Sequence, residues 1–146
     1  MGNIVDPAAD ALWASNAYES NLQGTVVTRP ESEYDWEKIR RQSVLLIEGA
    51  NLLMIDGRVV EHPGEKREIP ASIGDLTPEQ SLKLINGQRG TFNALARALQ
   101  DSGFATMKAI AARSYDQLDR SLSDIDAACE ACHVLFWYPT SARSIK

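Results

Sequence analysis

Near its C-terminal end the chain carries six apolar positions, Leu118, Leu122, Ile125, Cys129, Cys132 and Phe136, at steps of four, three, four, three and four. That alternation is the period of an α-helix with one buried face; a strand would bury every second residue instead. Ser114 with Gln117 three residues later supplies start chemistry for this helix, and Tyr138 followed by Pro139 stops it. Such a stripe requires other helices with matching stripes to cover it.

The chain supplies them. Ser32 with Asp35 opens a segment in which Trp36, Ile39, Ser43, Leu46, Ala50 and Leu53 share a face, widened by Leu45 and Leu52 and expected to end near Asp56 and Gly57. Thr77 with Gln80, and Pro78 between them, opens a third, whose apolar side is Phe92, Leu95, Ala96, Leu99, Met107 and Ile110. Gly87, Gly90 and Gly103 leave open whether it is one helix or two. Asp6 with Pro7 gives a fourth, shorter start, and Thr25 to Thr28 is the one β-like run. A breaker-rich loop runs to about Leu76, holding Pro63, Gly64, Pro70 and Gly74. The expectation is an all-α, antiparallel four-helix bundle in a single domain over 1–146, with 1–31 an extension bearing the short helix and 32–139 the bundle proper.

The net charge of −5 and pI near 5.0 argue against nucleic acid and suit a basic partner surface. No apolar run approaches the roughly 20 residues of a membrane-crossing helix, so no transmembrane segment is expected in this chain.

Cys129, Glu130, Ala131, Cys132 and His133 spell C-x-x-C-H, the attachment motif of c-type haem. Two thiols three residues apart on a helix lie on nearly one side, matching the two vinyl groups of one porphyrin edge, and the imidazole next along reaches the iron. The expected cofactor is therefore one haem c per chain, with Cys129 and Cys132 as thioethers and His133 as the iron ligand. The plainer reading is that the cysteines are small core residues and His133 favours the helix C-terminus. A thiol redox pair usually sits at a helix N-terminus, where the dipole lowers the thiol pKa, whereas this pair sits near the other end. A zinc site would need His62, in the loop, as a further ligand.

A haem motif in the last helix of a bundle, followed by an aromatic residue, resembles the cytochrome c prime family with its c556 relatives. The stretch Arg41, Gln42, Ser43, Val44, Leu45 is similar to the one that the family's first long helix lays over the open haem face. The resemblance implies Leu45 at the sixth coordination position, where an aliphatic group leaves iron five-coordinate. It places Arg41 and Gln42 near the propionates and Phe136 beside the haem. The chain departs from the family at Trp137, where a basic residue is usual, and in the loop and the extension through Glu31.

Two functions follow as expectations: electron transfer with a redox partner protein, and binding of small gases such as NO or CO at an open site. A low-spin carrier with Met54, Met107 or His62 as sixth ligand is an alternative, and a haem-free helical dithiol protein is another. No paired carboxylates, nucleophile with base or phosphate-binding glycine loop points to an enzyme. Because such attachment takes place outside the bacterial cytoplasm, the motif implies a periplasmic location and a signal or anchor ahead of this chain. The resemblance also allows a homodimer.

Overall fold

The structure is a computed structural model that describes residues 1–61 and 74–139. These residues are mostly helical: α1 (Val5–Ser15), α2 (Glu33–Leu53), α3 (Pro78–Gly87), α4 (Arg89–Ala111) and α5 (Tyr115–Phe136), with a hairpin of β1 (Ala17–Asn21) and β2 (Gly24–Thr28) between α1 and α2. His62, Pro63, Gly64 and Pro70 lie outside the described residues.

The helix starts read from the sequence form as capped ends. Ser32 and Asp35 exchange side-chain and backbone bonds, as do Thr77 and Gln80, while Ser114 accepts from the Gln117 N–H. Each cap satisfies N–H groups that the helix itself cannot, worth about 1 kcal/mol. The 77–113 stretch, which the sequence leaves open as one helix or two, is two, broken at Gln88, whose φ of −128° and ψ of 39° are not helical. Three expectations need correction. Helix α2 closes at Leu53, before Gly57. The β-like run has a partner strand, pairing Tyr18 with Val27 and Ser20 with Thr25. Leu45 is 46% exposed and does not belong to the buried stripe, which is Trp36, Ile39, Ser43, Leu46, Ile47, Gly49 and Ala50.

Helix α4 is the central element and α2 and α5 pack on it antiparallel. Against α2, Gly103 meets Ile47, Gln100 donates to Asn51 Oδ1 at 2.6 Å, and Arg89 donates to the Met54 and Ile55 carbonyls at 3.1 and 2.7 Å. Against α5, Phe92 at the start of α4 stands edge-on to Phe136 at the end of α5, centroids 5.3 Å apart. Both α2 and α5 therefore finish at the end of the molecule where α4 begins. Helix α1 runs against both: Val5 sits at Gly49, Trp13 Nε1 donates to the Leu122 carbonyl at 3.2 Å, and Asn16 donates to Asp119 at 2.8 Å.

The core joins Leu12, Trp36, Ile39, Leu46, Leu99, Ile110, Leu118 and Ile125 from these four helices. Its hydroxyls are satisfied locally: Ser43 donates to the Ile39 carbonyl, Thr106 to Ser102 and Ser121 to Leu118. They therefore carry no desolvation penalty into the interior. Arg113 closes α4 in the left-handed region at φ 50°, which costs an L-residue roughly 1–2 kcal/mol. Its guanidinium lies 5.0 Å over the Trp36 ring and pairs with Glu33, which offsets part of that cost.

The α2–α4 seam depends on a missing side chain. A Cβ on Gly103 would stand 2.7 Å from Ile47 Cγ1, whereas one on Gly90, in the same helix, meets nothing within 4 Å. Gly103→Ala is expected to lower stability by about 1–3 kcal/mol despite better helix propensity, and Ile47→Ala in that background should relieve the clash. Gly90→Ala should raise stability by up to about 1 kcal/mol. Urea unfolding midpoints of the three variants test this, and equal effects of the two glycine changes would refute the seam.

Candidate haem site

The last three turns of α5 carry Cys129, Cys132 and His133. Cys129 packs against the core cluster beside Ala128, and Phe136, one turn beyond Cys132, is buried on Phe92. Both cysteines are free and half-buried. Burial pushes the Cys129 thiol up to about 11, helped by the charges of Asp6 and Asp126, and burial alone pushes Cys132 to about 11. With thiol pKa values near 11, only about one thiol in ten thousand is ionised at pH 7. Their place near the C-terminal end of α5 works in the same direction. These are poor thiolates at neutral pH, which counts against a thiol redox pair.

Burial also lowers the pKa of His133, against the opposing carboxylates Asp6 and Glu130. The imidazole is therefore neutral at pH 7, with one ring nitrogen a lone-pair donor. Its Nε2 is buried and has no hydrogen-bond partner among the described residues. An unsatisfied buried polar atom costs about 1–3 kcal/mol, so a group that bonded this nitrogen would remove that cost. Trp137 and Tyr138 stand edge-on to the ring at 4.8 and 5.8 Å. Tyr138 also bonds Glu130, and burial followed by that carboxylate pushes its phenol up to about 12. The Trp137 carbonyl accepts from the Leu76 N–H at 2.7 Å, tying the approach to α3 onto the motif.

The donor set fits a covalent haem: two protonated thiols one turn apart and a neutral imidazole with a free nitrogen. Among the described residues no cluster of three or more His, Cys, Asp or Glu could hold a metal ion, so zinc finds no site there. Two surface grooves occur elsewhere. One, of about 390 Å³, lies over Asp116, Asp119 and Asp124; the other, of about 460 Å³, lies between α4 and α5 along Ala98, Ala105 and Ala127. Neither is lined by Cys129, Cys132 or His133.

The other residues singled out from the sequence are not brought to the motif. Arg41 pairs with Glu37 at 3.3 Å on the exposed side of α2, Gln42 is half-buried, and Leu45 is exposed. The direction of α2 explains this. Its C-terminal end, not its middle, lies at the motif end, and Leu45 stands about 13 Å back along the axis from Met54 at 1.5 Å per residue. Met54 is half-buried there, with its carbonyl held by Arg89. Asp6 and Phe92 were not singled out as site residues. Asp6 is an ordinary first-turn acid in the sequence, and only the antiparallel docking of α1 brings it to Cys129 and His133.

No protein-family model, no curated protein and no solved structure matches the chain.

The thiol chemistry is testable on protein without haem. Alkylation of Cys129 and Cys132 by iodoacetamide should be slow at pH 7 and rise about tenfold per pH unit to pH 10, because only the thiolate reacts. Unfolding in urea, which returns the pKa toward about 8.5, should speed the reaction at pH 7 by about two orders of magnitude. Equal rates in folded and unfolded protein would show that burial does not control these thiols.

Proposed function

We propose that this chain is a c-type haem protein of the antiparallel four-helix-bundle kind. In this reading α1, α2, α4 and α5 are the four helices and one haem is attached to α5. The observation that carries the reading is the C-x-x-C-H motif on a helix whose two thiols are protonated and whose imidazole Nε2 is buried without a partner among the described residues. Cys129 and Cys132 would hold the haem through thioether bonds and His133 would hold its iron through Nε2. When bound, the group supplies one-electron exchange and an iron centre able to take a small gas molecule.

The residues of the chain have recognisable tasks around it. Burial keeps His133 neutral and so able to donate to iron, while Phe92 and Phe136 form an apolar contact at the same end of α5. Trp137 and Tyr138 fix the ring plane from its edge, and Glu130 orients Tyr138. The two uses of such a centre are electron transfer with a protein partner and gas binding at a five-coordinate iron. The family resemblance supports both, and a periplasmic setting accompanies either.

A second reading, a low-spin electron carrier with Met54 as sixth ligand, is favoured by one observation. The end of α2 that carries Met54 lies at the motif end of the molecule, whereas Leu45, the residue implied to face an open iron, does not.

The optical spectrum of the dithionite-reduced protein, made with a c-type haem maturation system, separates these readings. A broad, poorly split visible band indicates five-coordinate iron and the gas-binding use. Sharp, split bands that Met54→Leu converts to a broad one establish the Met54 carrier. His133→Ala should abolish the normal spectrum in either case, and a wild-type protein with no Soret band after maturation would sink the haem reading and leave the helical dithiol protein.

A further inference from the structure

The stripe of α5 that carries His133 continues outward as Asp126, Glu130, His133 and Trp137, at steps of four, three and four, so these residues lie along one line of the helix. Asp6 approaches it from α1, near enough to act on both Cys129 and His133, and Asp75, just before α3, acts on Tyr138 from the other flank. Asp6, Asp126 and Glu130 are exposed. Among the described residues neither Asp6 nor Asp126 has an ion-pair partner, and Glu130 bonds the hydroxyl of Tyr138. At the C-terminal end of this line Trp137 is 41% exposed and in edge contact with the His133 ring.

We propose that this side of α5, a row of carboxylates at Asp126 and Glu130 flanked by Asp6 and ending at Trp137, docks the lysine-rich face of a basic redox partner protein. The proposal rests on the haem reading for the word redox, and on the surface alone for the rest. Charge complementarity selects the occupant. Three exposed carboxylates converge on one edge in a chain of net charge −5, and such a field draws in a cationic surface and repels an anionic one. An exposed tryptophan at the end of a row of carboxylates supplies both parts of a protein contact, an aromatic anchor that excludes water and charges that set approach and orientation. The Trp137 ring also joins the surface directly to the iron ligand, so a partner seated there is one ring away from His133. The second acidic group, Asp116, Asp119 and Asp124 near the opposite end of α5, has Arg120 among it and Asp119 already bonded to Asn16, and it shows no apolar centre.

Two measurements test the proposal separately from the haem reading. On protein with or without haem, carbodiimide coupling to a short oligolysine peptide should attach it to Asp6, Asp126 or Glu130, with coupling at Asp116, Asp119 or Asp124 several-fold weaker. The reverse order overturns the proposal. On haem-loaded protein, reduction by hexaammineruthenium(II), a cation, should slow several-fold from low to physiological salt, as expected for exposed charges screened over about 8 Å. Reduction by ferrocyanide, an anion, should quicken. The Asp6→Asn/Asp126→Asn variant should lose much of both salt effects, while Asp101→Asn, on α4, should keep them. Salt effects unchanged in the double variant, or equal loss in the control, would overturn the docking surface and leave the haem assignment standing.

Discussion

Everything at the motif end follows from how closely α4 seats between α2 and α5. The seam against α2 has no Cβ at Gly103, which lets Ile47 lie on the α4 backbone, and the aromatic contact of Phe92 with Phe136 closes the opposite side. Because α4 meets both neighbours antiparallel, α2 and α5 must run in the same direction and end together. That one constraint puts Met54 at the same end of the molecule as Cys132 and His133 and sends Leu45, Arg41 and Gln42 down the helix, away from that end. A one-sided resemblance over a short stretch of α2 carries no information on this point, since helix direction is set by the packing of the whole.

The helices were legible because their signals are local. Each of the three hydroxyl N-caps formed where a hydroxyl residue and an acid or amide stand three positions apart, and the stripe from Leu118 to Phe136 is buried at Leu118, Leu122, Ile125 and Phe136 with the cysteines half-covered. What the sequence could not supply was anything decided between elements. Leu45 and Leu52 look like core residues by type, yet Leu45 faces water because the stripe is narrower than apolar composition suggests. The partner strand Ala17–Asn21 carries a weaker signal than Thr25–Thr28, because Tyr18 is its one strong strand former among Ala17, Glu19, Ser20 and Asn21. The break at Gln88 falls between two glycines, and neither glycine alone fixes its position.

The cysteines and His133 were evident from five consecutive letters, but their chemistry was not. Desolvation raises both thiols and lowers the imidazole, so that at neutral pH all three groups are uncharged in a region otherwise marked by carboxylates. The same burial disfavours disulfide or thiolate chemistry and favours a neutral nitrogen donor. The surrounding acids Asp6, Asp126 and Glu130 are exposed and so present their carboxylates to the outside. Inside and outside of the site are thus divided by polarity over the width of one helix.

The contacts Trp13 to Leu122 and Asn16 to Asp119 join the first helix of the chain to the last, across 109 and 103 positions. Helix α1 also meets α2, where Val5 stands at Gly49. One short helix thus ties together two helices that otherwise meet mainly through α4, so loosening α1 would uncover the Cys129 and His133 side of α5 and the Gly49 face of α2 at once.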